Sequence, residues 1–276
     1  MKPTRAIARD DEVASVDPSP SRTLDLVIPV IGIAGILAAW EAVVRAGLVS
    51  PIILPAPSTV ARELAFALKN IVSGGYMFTH TAVTLIETLA GFGLAVVIGF
   101  GLGVLIAEVR PARRVLMPYL ISLNAAPKIA LAPLLVVWFG FGMTSKIVMA
   151  ALIAFFPLLV NVVSGLAGVD PAKLRLMQSF AASRWKTFVK VKLPDALPTI
   201  FAGAKTAIVL AVVGAVVGEF VSADVGLGHL IKKTEYQLDV PLTFAAIVLL
   251  SVAGILLFYA VEFLERRLVF WTGRSQ

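Results

Sequence analysis

Six stretches of this sequence are apolar for about 20 residues or more, each long enough to cross the hydrocarbon core of a bilayer as a helix. They cover 24–44, 81–107, 115–139, 147–166, 197–221 and 242–264. No other feature constrains the chain as much, because backbone in lipid must satisfy its own hydrogen bonds and each run is therefore held to helix. The expected fold is all-α and polytopic, with six transmembrane helices. Composition agrees: 59% of the 276 residues are hydrophobic and 15% charged, where a soluble domain carries about a quarter. There is no cysteine, so disulfides, iron–sulfur clusters and thiolate metal sites are excluded. His80 and His229 stand far apart in sequence without acidic neighbours at ligand spacing, and neither a metal nor a cofactor is expected.

Residues 1–23 are polar, mixed in charge and carry Pro18 and Pro20; they read as a disordered cytosolic tail. The apolar run after this tail is too long for a signal peptide, whose apolar core would end well before residue 44. Residues 24–78 therefore hold the first span, with Trp40 near its outer end, and then an amphipathic helix over 59–71 capped by Ser58 and lying along the outer surface. The second span carries Gly91, Ala95, Gly99, Gly103 and Ala107 at intervals of four. This smooth ridge lets another helix approach closely, and a second copy of the chain is the partner it suggests. Pro118, Pro127 and Pro133 must bend or break the third span. A ridge of Gly203, Ala207, Ala211 and Ala215 marks the fifth, a polar outer loop covers 222–239, and 265–276 form a cytosolic C-terminal tail.

The net charge of +7 invites a nucleic-acid reading, but its placement argues otherwise. Sixteen basic residues fall in the tail, the turn at 108–114, the segment at 170–192 and the C-terminus. Six (Arg45, Arg62, Lys69, Lys146, Lys232, Lys233) fall on the opposite face. That asymmetry puts both termini in the cytosol.

Between the fourth and fifth runs lies a polar, basic segment, 170–198. Asp170 suits an N-cap and Pro171 the first helical position. Read as a continuous helix, it places Leu174, Met177, Ala181, Trp185 and Phe188 on one stripe and Arg175, Ser179, Ser183, Lys186 and Lys190 opposite. Pro194 and Pro198 are expected to stop it, with Asp195 capping the next span. Such a segment can lie in lipid headgroups or dock a soluble partner; tethering at both ends argues against nucleic acid.

The pattern A-A-S-R-W…F-x-x-V-x-L-P-x-A-L-P-x-I-F-A-G, residues 181–203, resembles the coupling loop of bacterial ABC-importer permeases. It is closest to the nitrate/sulfonate/taurine branch, which also serves pyrimidine-precursor and riboflavin-type substrates. P-K-I-A-L-A-P-L-L-V-V-W-F-G-F-G, residues 127–142, resembles the same branch, and the likeness extends over about 54–271. It implies a type I (MetI-like) permease domain over 79–264 in a bacterial inner membrane and an ATPase-coupling set of Leu174, Arg175, Met177, Ala181, Trp185, Phe188, Leu193 and Pro194. The implied partners are a second permease copy as a homodimer, two ABC ATPase subunits that hydrolyse the ATP, an extracytoplasmic solute-binding protein and the lipid bilayer. Two positions depart from the family: Arg175 stands where a Glu is usual, and Ala181 where a Gly is usual. Without glycine, the bend between the loop's two short helices is expected to use ordinary φ/ψ.

No catalytic constellation is visible, so the chain is not expected to be an enzyme. Ala204-Lys205-Thr206 only mimics the end of a P-loop, with no glycine at 204 or 199 and no strand before it. Polar groups inside the spans are candidates for a substrate path. Glu87 lies two turns into the second span, Asn124 and Lys128 lie in the broken third, and Lys205 lies in the fifth. Two of these have a structural alternative, since Asn124 can pack helices and Lys205 can reach back to headgroups; Glu41 and Glu219 lie near outer ends, where water can reach them. A secondary transporter or channel acting without an ATPase is the other class to weigh, but it calls for inverted repeats and mid-membrane acids that are not evident.

Overall fold

The computed structural model describes residues 22–271, with side chains from residue 29 onward. Almost all of the expected tail at 1–23 lies outside the described residues, as does 272–276. The chain divides into two units, Met1–Val49 and Ser50–Gln276. The first carries α1 (Arg22–Arg45) on the first apolar run, where Glu41 pairs with Arg45 at 2.7 Å, one turn along.

The second unit is built from α2 (Pro57–Val72), α3 (Tyr76–Glu108), α4 (Arg110–Ala125), α5 (Ala132–Phe139), α6 (Met143–Ala167), α7 (Pro171–Ser179), α8 (Arg184–Thr187), α9 (Leu193–Ser222), α10 (Leu227–Tyr236) and α11 (Val240–Leu268). A 3-10 turn, Lys128–Leu131, precedes α5, and a π-helical turn, Phe188–Lys192, joins α8 to α9. Among the described residues, α3, α6, Arg184–Ser222 and α11 are long and apolar enough to cross a membrane, and α4 with Lys128–Phe139 makes a fifth span bent by 85°.

The middle of the unit is α6, packed between α3 and α9. Lipid tails are as apolar as leucine, so helices hold together there by close approach rather than by a hydrophobic drive. The small-residue ridges supply that approach, and they supply it within one chain. A carbon added at Gly91 would overlap the Ala150 side chain, and one at Gly103 would come within 2.6 Å of Val162 Cγ1. On α9, a carbon at Gly214 would come within 2.6 Å of Ala150 Cα, and one at Gly203 within 2.5 Å of Asn161 Cβ. Gly99 faces the Phe155 carbonyl and Leu158. The expectation that the glycine ridge of α3 serves a second copy is therefore corrected: α6 already occupies it.

Around this core, Ala67 of α2, Met77 of α3, Leu230 and Ile231 of α10, and Ala246 and Leu249 of α11 form a second buried cluster. The expected outer loop at 222–239 thus contains a packed helix. α2 begins at Pro57 with Ala56 in the N-cap position, so Ser58 lies inside the first turn and not at the cap expected of it. The expected C-terminal tail from 265 is helical as far as Leu268.

Candidate functional site

The basic segment folds as two short helices rather than one. Asp170 caps α7 by accepting from the Ala172 N–H at 2.7 Å, with Pro171 in the first turn, as its sequence implies. The helix then stops at Phe180. The Ala182 N–H reaches the Met177 carbonyl at 3.0 Å and the Ala181 N–H reaches that of Gln178 at 2.9 Å. These are the two bonds of a Schellman ending, which requires the residue between cap and second amide to be left-handed. Ala181 has φ +48°. The expected ordinary backbone at this bend is overturned: the conformation that suits glycine is kept, and an alanine bears it. Ser183 then caps α8 through the Lys186 N–H.

This break redistributes the expected stripe. Leu174 and Met177 are half-buried against their own chain, while Phe188 packs onto the central core. Trp185 stacks on Phe188 with centroids 6.0 Å apart yet remains 73% exposed. Leu176, Phe180 and, to a lesser degree, Val189 are also left open, and the sequence pattern conceals them because they lie off the continuous-helix stripe. Arg175 is exposed and its near neighbour Lys173 forms an ion pair with Asp195, so Asp195 braces α7 instead of capping α9. That hydrogen bond holds the Lys173 ammonium above its ordinary range. Nor do Pro194 and Pro198 stop the helix. The π turn widens the coil at Phe188–Lys192, just where the Pro194 ring would meet a carbonyl one turn back, and Leu193 continues straight into α9. Lys192 Nζ pairs with Glu108 at the end of α3 at 2.8 Å. Between these arms lies a polar cavity of about 740 Å³ lined by Glu108, Arg110, Leu174, Gln178, Arg184 and Lys192, among others.

Of the intramembrane candidates, Lys205 pairs with Glu265 of α11 at 2.7 Å, lying above the Phe258 ring. Asn124 Oδ1 accepts from Lys128 Nζ at 2.6 Å beside the break between α4 and α5. Glu87 is fully buried and faces Lys146 at 3.6 Å. Lys146, an outer-loop cation by its place in the sequence, sits in α6 and is 5% exposed. Glu219, expected to meet water, is 1% exposed. Its carboxylate accepts from Thr84 Oγ1 at 2.6 Å and from the Gly228 N–H at 2.5 Å. Thr84 Oγ1 in turn accepts from the Leu227 N–H at 2.8 Å, and His80 Nδ1 meets the Gly226 N–H at 2.9 Å. Three successive amides at the start of α10 are thus held by α3 and α9, which satisfies orphan helix-end donors away from water. His80 and His229, far apart in sequence, stack with centroids 6.1 Å apart. The sequence signal for this node was Gly226-Leu-Gly228: a carbon added at Gly228 would come within 2.7 Å of the Glu219 carboxylate, and one at Gly226 would overlap it.

Residues 95–270 match the family described as binding-protein-dependent transport system inner membrane component. The chain belongs to that family. It is 39% identical over 236 residues to the riboflavin transport system permease protein RibX of Chloroflexus aurantiacus, covering 86% of this chain and 87% of RibX. It is 33% identical over 247 residues to a putative aliphatic sulfonates transport permease protein, SsuC, of Bacillus subtilis, covering 89% and 86%. In fold it is similar to a chain of the inward-facing MetNI methionine ABC transporter, with a TM-score of 0.60 at 23% identity over 71% of this chain and 95% of that one.

As a binding-protein-dependent permease the chain is the membrane subunit of an ABC importer, and ATP hydrolysis belongs to a separate subunit. The geometry suits that division of labour. The permease presents an apolar patch on α7–α8 and braces it from behind by Lys173–Asp195 and Lys192–Glu108. These two ion pairs tie α7 and the π turn to α9 and α3, which pack on either side of α6.

Proposed function

We propose that two copies of this chain form a symmetric permease, joined by two ABC ATPase subunits and served by an extracytoplasmic binding protein. Each copy contributes six spans, α1 being the first, with both termini and α7–α8 on the cytosolic face of a bacterial inner membrane. Removing the buried Lys146 from the outer count leaves sixteen basic residues against five, so the asymmetry supporting this orientation grows. The transported solute is small, of the nitrate/sulfonate/taurine or pyrimidine/riboflavin kind. ATP closes the ATPase pair, α7–α8 move with it, and α3, α6 and α9 turn as one body to switch access to the path. The coupling role falls to Leu174, Arg175, Met177, Ala181, Trp185, Phe188, Leu193 and Pro194, joined by Leu176 and Phe180.

One observation carries this reading: Phe180 and Trp185, 72% and 73% exposed, stand on a braced segment next to a polar cavity. Burying such side chains contributes about 1.5–3 kcal/mol each. Phe180→Ala with Trp185→Ala should therefore weaken ATPase binding by at least a hundredfold while leaving the permease inserted. Co-purification of the ATPase at wild-type yield from the double variant would refute the docking role.

A further inference from the structure

The lysines of the spans that are buried or half-buried differ in one respect. Lys146 has Glu87, Lys205 has Glu265, and Lys192 at the head of the fifth span has Glu108. Lys128 pairs with no carboxylate among the described residues. One of its three N–H donors goes to Asn124 Oδ1 and its ammonium stands 5.5 Å from the centroid of the Phe156 ring. Its surroundings fix its depth. Phe156 stands thirteen residues after Met143 and eleven before Ala167 on α6, about 20 Å and about 17 Å along the axis from either end. A lysine stem cannot bridge such a distance to headgroups. The chain also breaks here, with Pro127 ending α4 and the 3-10 turn leaving backbone outside a regular helix. Irregular backbone and an ammonium at mid-depth are tolerated where protein buries them or where they line an aqueous cavity, and not where they face lipid. Lys128 is half-buried and Asn124 exposed in the single chain, so the chain's own protein does not seal them off and a path between two copies can reach both.

We propose that Lys128 supplies the positive charge that recognises an anionic group on the transported solute, with Asn124 orienting its ammonium. The inference rests on the permease reading and narrows its substrate class: an oxyanion such as a sulfonate, carboxylate or phosphate fills the two remaining donor positions. Two copies around a shared path bring two such ammonium groups to it. The Asn124 amide fixes the direction of the ammonium and offers its own NH₂ to a second oxygen of the same group.

The test uses the whole importer, permease with its ATPase and binding protein, in proteoliposomes. ATP-dependent accumulation is followed for methanesulfonate, taurine, inorganic phosphate and, as the uncharged probe, riboflavin. The expected result is accumulation of at least one anion, lowered more than tenfold by Lys128→Met and kept within threefold by Lys128→Arg, with ATPase co-purifying normally in both variants. Accumulation of riboflavin alone, of no anion, or of an anion unaffected by Lys128→Met overturns the charge assignment. Those outcomes leave the permease reading standing as long as the ATPase co-purifies. Failure of the wild-type chain to hold an ATPase sinks that reading itself, and the inference with it. Asn124→Ala should lower anion uptake less than Lys128→Met; an equal or larger loss would contradict Asn124 as the orienting group.

Discussion

Ala181→Gly tests how the coupling segment is built. An L-residue held left-handed costs about 1–2 kcal/mol relative to right-handed backbone, and glycine escapes that cost. Against this, glycine forfeits roughly 0.5–1 kcal/mol more conformational entropy on ordering. The structure puts Ala181 at φ +48° with both Schellman amides bonded, so the native conformation is unchanged by the substitution and the difference is net. The expected gain in local stability is about 0.5–1 kcal/mol, or roughly two- to fivefold slower hydrogen exchange at the 181 and 182 amides. Ala181→Val should act oppositely, because a β-branched side chain tolerates left-handed backbone poorly. Exchange read by mass spectrometry on peptides spanning 176–187 measures both. Unchanged or faster exchange in Ala181→Gly, together with no loss in Ala181→Val, would refute a left-handed break at this residue.

Two further perturbations probe the transmembrane core. Gly91→Ala or Gly103→Ala forces α3 off α6 and should lower stability by about 1–3 kcal/mol, visible as a lower Tm of the purified protein, whereas Gly101→Ala, with nothing within 4 Å, should not. A normal Tm in the first two would count against the intrachain role of the ridge. Removing one member of the buried pair, by Lys146→Met or Glu87→Gln, should destabilise by about 3–5 kcal/mol, and the double variant should recover part of that loss. Strict additivity of the two losses would show that the groups do not act together.

Much of this architecture was legible in the sequence, because hydropathy and length determine where helices cross and prolines mark where they bend. The broken third span and the Asp170–Pro171 helix start were both visible that way. Partnership was not. The four-residue spacing at Gly91, Gly99 and Gly103 announces close approach but not which helix approaches, and α6 took the place expected of a second copy. Lys146 reads as a loop cation because its carboxylate partner, Glu87, lies in another span. Pro194 reads as a helix stop because a π turn, which relieves the ring, leaves no mark in composition. At Ala181 the local rule favours ordinary backbone, and the two amide bonds of the helix ending override it at modest cost.

The central claim, that α7–α8 form the contact through which an ATPase drives this permease, has a direct test in a chain without cysteine. Ser179→Cys, exposed on α7, can carry a single benzophenone maleimide in the assembled importer. Irradiation should yield a product of the combined mass of permease and ATPase, and the cysteine should react with an impermeant maleimide only in inside-out vesicles. A product with the binding protein, or labelling from the outer face of right-side-out vesicles, would contradict the account.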